Sequence, residues 1–151
     1  MGLTGRPLGD IIKILLLKDQ DFIVQSGSYI ASTSGIAVDT QWQSLKKGLC
    51  GSELFMLKVA GQGEVFLNAF GDIIKKEILT GEKFILNNYH LVALNLDADY
   101  KVIKFGNPKS TLLGGEGLVI EINGPSQSVY FQTKNKPQLV EYLDLDQKNA
   151  R

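Results

Sequence analysis

Gly114-Gly115-Glu116-Gly117-Leu118-Val119-Ile120-Glu121-Ile122-Asn123-Gly124-Pro125-Ser126-Gln127-Ser128-Val129-Tyr130-Phe131-Gln132-Thr133 reads as loop, strand, tight turn and strand. An upstream stretch has the same grammar: Gly51-Ser52-Glu53-Leu54-Phe55-Met56-Leu57-Lys58-Val59 runs through Gly61-Gln62-Gly63 into Glu64-Val65-Phe66-Leu67-Asn68. Both read as hairpins, and each closes one half of the chain.

The duplication extends outward from there. Gly71-Asp72-Ile73-Ile74-Lys75 repeats Gly9-Asp10-Ile11-Ile12-Lys13 residue for residue at an offset of 62. The same offset carries Phe22-Ile23-Val24 onto Phe84-Ile85-Leu86 and Ile30-Ala31 onto Val92-Ala93. It grows to 63 between Gly51-Ser52-Glu53 and Gly114-Gly115-Glu116, and to 64 between Val65–Asn68 and Val129–Gln132. The offset changes in loops and never within a strand, as a structural repeat with loop insertions does. Repeats over 9–70 and 71–135 are therefore expected within one domain, 1–151, with 136–151 as a tail.

Between the duplicated markers the chain reads as short strands broken by small polar residues. Ile11–Leu17 is apolar apart from Lys13, Phe22–Gln25 is β-branched and aromatic, and Ile36–Trp42 alternates apolar with polar. Thr80-Gly81-Glu82 is a turn, and Asn87-Asn88 suits a type I′ hairpin because Asn tolerates positive φ. Tyr100–Phe105 alternates again before Gly106-Asn107-Pro108. Breaks every eight to twelve residues or so indicate an all-β sandwich or barrel. Pro137 opens a short C-terminal helix whose apolar face is Leu139, Val140, Tyr142 and Leu143, followed by a polar end.

Composition narrows the class of function. The 151 residues include 16 Lys+Arg and 16 Asp+Glu, for a formal net charge of zero. A dedicated nucleic-acid surface normally carries an excess of cations to replace phosphate counterions, so nucleic acid is disfavoured. Cys50 is the only cysteine. No disulfide within the chain is possible, and a small core filler in a reducing, cytoplasmic setting is the expectation. The longest apolar runs are only four residues, as in Ile14–Leu17, far shorter than a membrane span.

Candidates for chemistry are few. His90 is the only histidine, whereas an imidazole metal site takes two or three, and no Gly-x-Ser-x-Gly turn accompanies it. No metal and no cofactor is expected. Glu53 and Glu116 occupy equivalent places and could in principle work as acid and base. The duplication explains them more simply, with each carboxylate accepting backbone N–H groups from its own glycine-rich loop. Gly51, Glu53, Gly114, Gly115, Glu116 and Gly124 are thus read as structural residues of the repeated loops. Gly114-Gly115-Glu116-Gly117 leads into a strand rather than a helix, which separates it from phosphate-binding fingerprints. Lys46-Lys47 and Lys75-Lys76 read as solvated surface.

Taken together, Asp39-Thr40-Gln41-Trp42-Gln43, Gly51-Ser52-Glu53-Leu54-Phe55, Ser110-Thr111-Leu112-Leu113-Gly114-Gly115-Glu116-Gly117-Leu118-Val119, Gly124-Pro125 and Phe131-Gln132-Thr133-Lys134-Asn135 resemble the altered-inheritance-of-mitochondria twenty-four family. The resemblance runs from about Gly9 to Asn135. It implies a β-sandwich similar to the tryptophan RNA-binding attenuation protein and a link to mitochondrial biogenesis, and it supplies no catalytic residues. Two departures stand out. Ser126 replaces a second glycine after Gly124-Pro125, and Met1–Leu8 is too short and polar to be the further β segment that relatives carry there. A short or truncated form is expected.

The expectation is a non-catalytic, self-associating scaffold or protein-interaction module. A small-molecule or RNA binder, by analogy of fold, is the alternative. The apolar first strand wants cover on both faces, which places it near the interface of a homo-oligomer.

Overall fold

The computed structural model describes residues 9–40, 55–104 and 118–135. Among these, twelve strands follow one another: β1 (Ile11–Leu16), β2 (Phe22–Gln25), β3 (Tyr29–Ser32), β4 (Ile36–Asp39), β5 (Met56–Gly61) and β6 (Gly63–Asn68), then β7 (Ile73–Ile78), β8 (Lys83–Asn87), β9 (Leu91–Asn95), β10 (Asp99–Lys104), β11 (Leu118–Asn123) and β12 (Ser126–Gln132). Single 3-10 turns, Ser26–Ser28 and Asn88–His90, lead into β3 and β9. The fold is all-β. The proposed C-terminal helix at 137–143 lies outside the described residues.

The strands form three sheets. The largest has the order β4-β5-β2-β9-β12-β7, and two smaller ones have the orders β1-β6-β3 and β10-β11-β8. Side-chain alternation shows how they stack. In β2, Phe22 and Val24 point to one face and pack with Ile14, Leu16, Val65 and Leu67 of the β1-β6-β3 sheet. Ile23 points to the other face and packs with Leu86, Ile120 and Ile122 of the β10-β11-β8 sheet. The six-stranded sheet is therefore the shared middle layer of two sandwiches, with apolar residues on both faces. Leu91, Val92, Ala93 and Leu94 are buried without exception, as a strand covered on both faces requires.

The two halves carry the same pairing scheme. Antiparallel ladders β1·β6, β3·β6, β4·β5 and β2·β5 occur in the first. Ladders β7·β12, β9·β12, β10·β11 and β8·β11 occur in the second.

Two sequence expectations need correction. The stretches read as hairpins are not hairpins: β5 pairs with β4 and β2, while β6 pairs with β1 and β3. Likewise β11 and β12 belong to different sheets. Each tight turn is a corner at which the chain leaves one layer for the other. In the first half, positive φ at Gly61 (117°) and Gly63 (150°) makes that corner, and the Gln62 N–H donates to the Gly35 carbonyl at 3.1 Å. The second correction concerns Asn87-Asn88. Asn87 is extended at φ −63°, and its Oδ1 accepts from the Tyr89 N–H at 3.0 Å. The chain then crosses from β8 to β9 in another sheet. The local side-chain hydrogen bond that makes Asn a turn former serves a 3-10 turn here instead.

Candidate functional site

The junction between the halves is where the described residues concentrate specific contacts. Its centre is the ladder between β2 and β9, with Phe22 opposite Asn95, Ile23 opposite Leu94 and Val24 opposite Ala93. The Leu96 N–H donates to the Asp21 carbonyl at 2.9 Å and extends the contact by one residue. Ile23 is fully buried by this pairing. Burial of such a side chain contributes roughly 1.5–3 kcal/mol.

A second set of contacts fixes the connection from Ala69 to Asp72. Gly9 and Gly71 form a parallel bridge, the Asp10 N–H donates to the Gly71 carbonyl at 2.9 Å, and the Ala69 N–H donates to the Asp10 carbonyl at 3.1 Å. Gln132 ties this connection to β12 and the second 3-10 turn. Its Oε1 accepts from the Phe70 N–H at 2.9 Å, and its Nε2 donates to the Tyr89 carbonyl at 2.7 Å. The Gln132 carbonyl lies 2.6 Å from His90 Nδ1, and a carbonyl only accepts, so Nδ1 carries the proton. His90 Nε2 then accepts from Asn135 Nδ2 at 2.8 Å. Both ring nitrogens are engaged, and the imidazole holds a turn in place.

An open groove of about 350 Å³ lies beside the junction, lined by Ile14 and Leu15 of β1, Gln20, Phe22, Lys75 and Glu77 of β7, and Ser128 and Tyr130 of β12. Lys75 Nζ stands 6.0 Å from the centre of the Tyr130 ring, and Phe22 packs on that ring at 6.0 Å between centroids. Among the described residues, no three of His, Cys, Asp and Glu group as metal ligands would.

A third cluster sits on the outer face of the β10-β11-β8 sheet. Glu121 Oε1 accepts from Lys101 Nζ at 2.9 Å and from Lys83 Nζ at 3.3 Å. The hydrogen bond from Lys101 holds this carboxyl below its usual range, burial opposes that, and Lys83 adds to the lowering. The corresponding pair in the first half is Lys58 with Asp21 at 3.4 Å. The sign of the charges is reversed while the positions match. Elsewhere in the second half, burial raises the Tyr100 hydroxyl above its ordinary value.

Of the residues selected from sequence, Gly51, Glu53, Gly114, Gly115 and Glu116 lie outside the described residues, as do Cys50, Lys46 and Lys47. Gly124 is described. Its N–H donates to the Glu82 carbonyl at 2.9 Å, it precedes Pro125 through a cis peptide bond, and a Cβ there would overlap the Leu79 carbonyl oxygen. Sequence reasoning missed Gln132, whose amide organises the connection, and the exposure of Ile85. The second had no signal, because the offset of 62 lays Ile85 on Ile23, which is buried.

Comparison with solved structures finds the crystal structure of protein SPYM3_0169 from Streptococcus pyogenes, with a TM-score of 0.70 and 24% identity over 89% of this chain and 59% of that one. The uncharacterized protein M6_Spy0233 of Streptococcus pyogenes serotype M6 is 27% identical over 140 residues, which are 91% of this chain and 55% of that protein. The chain thus spans just over half the length of each. Residues 1–134 match the family described as Mitochondrial biogenesis AIM24, and with a match of that extent over this fold the chain belongs to that family.

Proposed function

We propose that the protein is a non-catalytic, self-associating β-scaffold or protein-interaction module, built as an internal repeat and working in the cytoplasm. The shared pairing scheme supports the repeat. The observation that carries self-association is the first strand. Among the described residues β1 pairs only with β6, so one backbone edge is left open. Its outward face carries apolar side chains on either side of the ion pair between Lys13 and Glu64: Ile11 is 39% exposed, Leu15 60%, and Leu17 just beyond the strand 55%. An apolar strand at an open edge is a template for another chain.

The alternative is a small-molecule or RNA binder, by analogy with the tryptophan RNA-binding attenuation protein. The groove with Lys75 over Tyr130 favours it, since a cation and an aromatic face suit a base or another flat ligand. The balanced charge counts against RNA. No helix among the described residues is long and apolar enough to cross a membrane.

Sedimentation velocity over a hundredfold concentration range tests the leading reading. A boundary that moves faster than a 16.6 kDa chain and sharpens with concentration supports it. A boundary fixed at the monomer overturns it.

A further inference from the structure

Within the chain the halves join through one strand edge of each, β2 from the first and β9 from the second. At the offset of 62, β2 corresponds to β8 and β3 to β9. The corresponding second junction would pair β8 with β3. The chain does not make it. Among the described residues β3 pairs only with β6, and β8 only with β11, so each has an open edge.

Three observations show that these edges are built for the same contact. Ile23 is 0% exposed because the other half covers it, whereas Ile85, its counterpart, is 59% exposed. Each stands opposite a charged residue of its own ion-pair cluster, Ile23 opposite Lys58 and Ile85 opposite Glu121, with the sign reversed. The receiving strands also match at their ends. Asn95 Oδ1 accepts from the Ser128 N–H at 2.7 Å after β9 begins its turn, and Thr33 Oγ1 accepts from the Glu64 N–H at 3.0 Å after β3. These are equivalent positions doing equivalent work.

We infer that β8 of one copy pairs antiparallel with β3 of a second copy, reproducing between chains the junction that β2 and β9 make within one. This rests on the self-association proposed above and assigns it to β8 and β3 rather than to the edge of β1. Transfer of the β2·β9 register sets Phe84 opposite Thr33, Ile85 opposite Ser32 and Leu86 opposite Ala31 of the second copy. The β1-β6-β3 sheet of one copy and the β10-β11-β8 sheet of the next then become a single six-stranded sheet, the counterpart of the one already formed in the chain. Ile85 is covered, and the open edges of β8 and β3 are satisfied, while β1 stays at the rim of the joined sheet. Because the two edges are different surfaces, the contact runs head to tail. Such contacts close into a ring or continue as a filament.

Cysteine pairing tests it directly. In a Cys50→Ser background, Ser32→Cys and Ile85→Cys are prepared as separate proteins. Residues directly opposite in an antiparallel pair have Cα atoms roughly 4.5–5.5 Å apart, within reach of a disulfide. The expected result is a disulfide-linked dimer when the two proteins are mixed and oxidised, none from either alone, and a ladder of covalent multimers from the double variant. Both positions are partly or largely exposed, and the unmutated chain provides a second readout that needs no substitution. Its Lys83–Asn87 and Tyr29–Ser32 amides are expected to exchange more slowly at high protein concentration than at low. No cross-link in the mixture, a cross-link from one variant alone, or exchange in both segments that ignores concentration overturns the pairing. The mass of the unmutated protein separates the two failures: above 16.6 kDa self-association stands by other strands, and at 16.6 kDa both readings fall.

Discussion

Gly9 and Gly71, 62 residues apart in sequence, meet in a parallel bridge, with the Asp10 N–H donating to the Gly71 carbonyl at 2.9 Å. Each glycine precedes the first strand of its half, so the two halves are pinned together where each begins. The contact requires bare backbone, because a Cβ on Gly9 would overlap the Ala69 carbonyl oxygen. Gly71 is further constrained by a φ of 68°.

Gly9→Ala is therefore expected to destabilise the fold by about 1–3 kcal/mol, the usual cost of forcing a methyl into a packed site. Urea unfolding followed by circular dichroism measures it. A midpoint unchanged from that of the parent would show that the bridge is not tightly packed.

The matched isoleucines offer a comparison within one molecule. Ile23→Ala is expected to cost about 2–5 kcal/mol, as for other fully buried aliphatic side chains. Ile85→Ala in dilute protein is expected to stay within about 0.5 kcal/mol of the parent, as exposed positions do. Equal costs in dilute solution would mean that Ile85 is already covered within the chain.

Much of the strand pattern was legible in the residues. Phe22–Gln25 and Ile36–Asp39 are strands where β-branched, aromatic or alternating residues place them, and Gly81 turns at a φ of 85° between β7 and β8. Pairing was not legible. Gly61-Gln62-Gly63 has the composition of a hairpin turn, and nothing local distinguishes a turn that folds a strand back from one that sends it into another layer. That choice is made by Val59 and Val65, which pack into one core from opposite sheets. Asn87 misled for a related reason: its side chain caps a 3-10 turn as readily as it shapes a type I′ turn. Of the residues chosen for the repeated loops, Gly124 is the one among the described residues. The junction itself is made by Ile23, Leu94 and Gln132, residues with no chemical signature. Of the three, the repeat pointed to Ile23 at an offset of 62 and to Gln132 at 64, and nothing pointed to Leu94.

Glu121 supplies a dependence on pH. Its carboxyl is lowered from 4.5, first by the hydrogen bond from Lys101. A depressed carboxyl stabilises the fold fully above the ordinary carboxylate range, and that contribution is lost as pH falls through the folded-state value. Glu121→Gln is expected to be less stable than the parent at neutral pH, with the difference shrinking on acidification. Thermal melts between neutral and acidic pH measure it. A gap that widens toward acid would contradict the assignment.

For RNA, the balanced charge leads to an expected affinity no tighter than about micromolar at physiological salt, because few phosphate counterions would be released. Fluorescence polarisation with single-stranded RNA at several salt concentrations checks this. Nanomolar binding that weakens steeply with salt would put the RNA reading first.

Light scattering coupled to gel filtration, run on the unmutated chain and on Ile85→Lys side by side, tests most directly whether this is a scaffold assembled through its open edges. A charged residue at this exposed position leaves the isolated chain folded, while taking an ammonium group out of water at a strand junction is unfavourable even opposite Glu121, whose carboxylate already serves Lys83 and Lys101. The expected result is a mass that is a multiple of 16.6 kDa for the unmutated protein and 16.6 kDa for the variant, with matching circular dichroism spectra. An unmutated chain that stays at 16.6 kDa across a hundredfold concentration range would contradict self-association, and equal multiples for both proteins would contradict the β8 edge as its route.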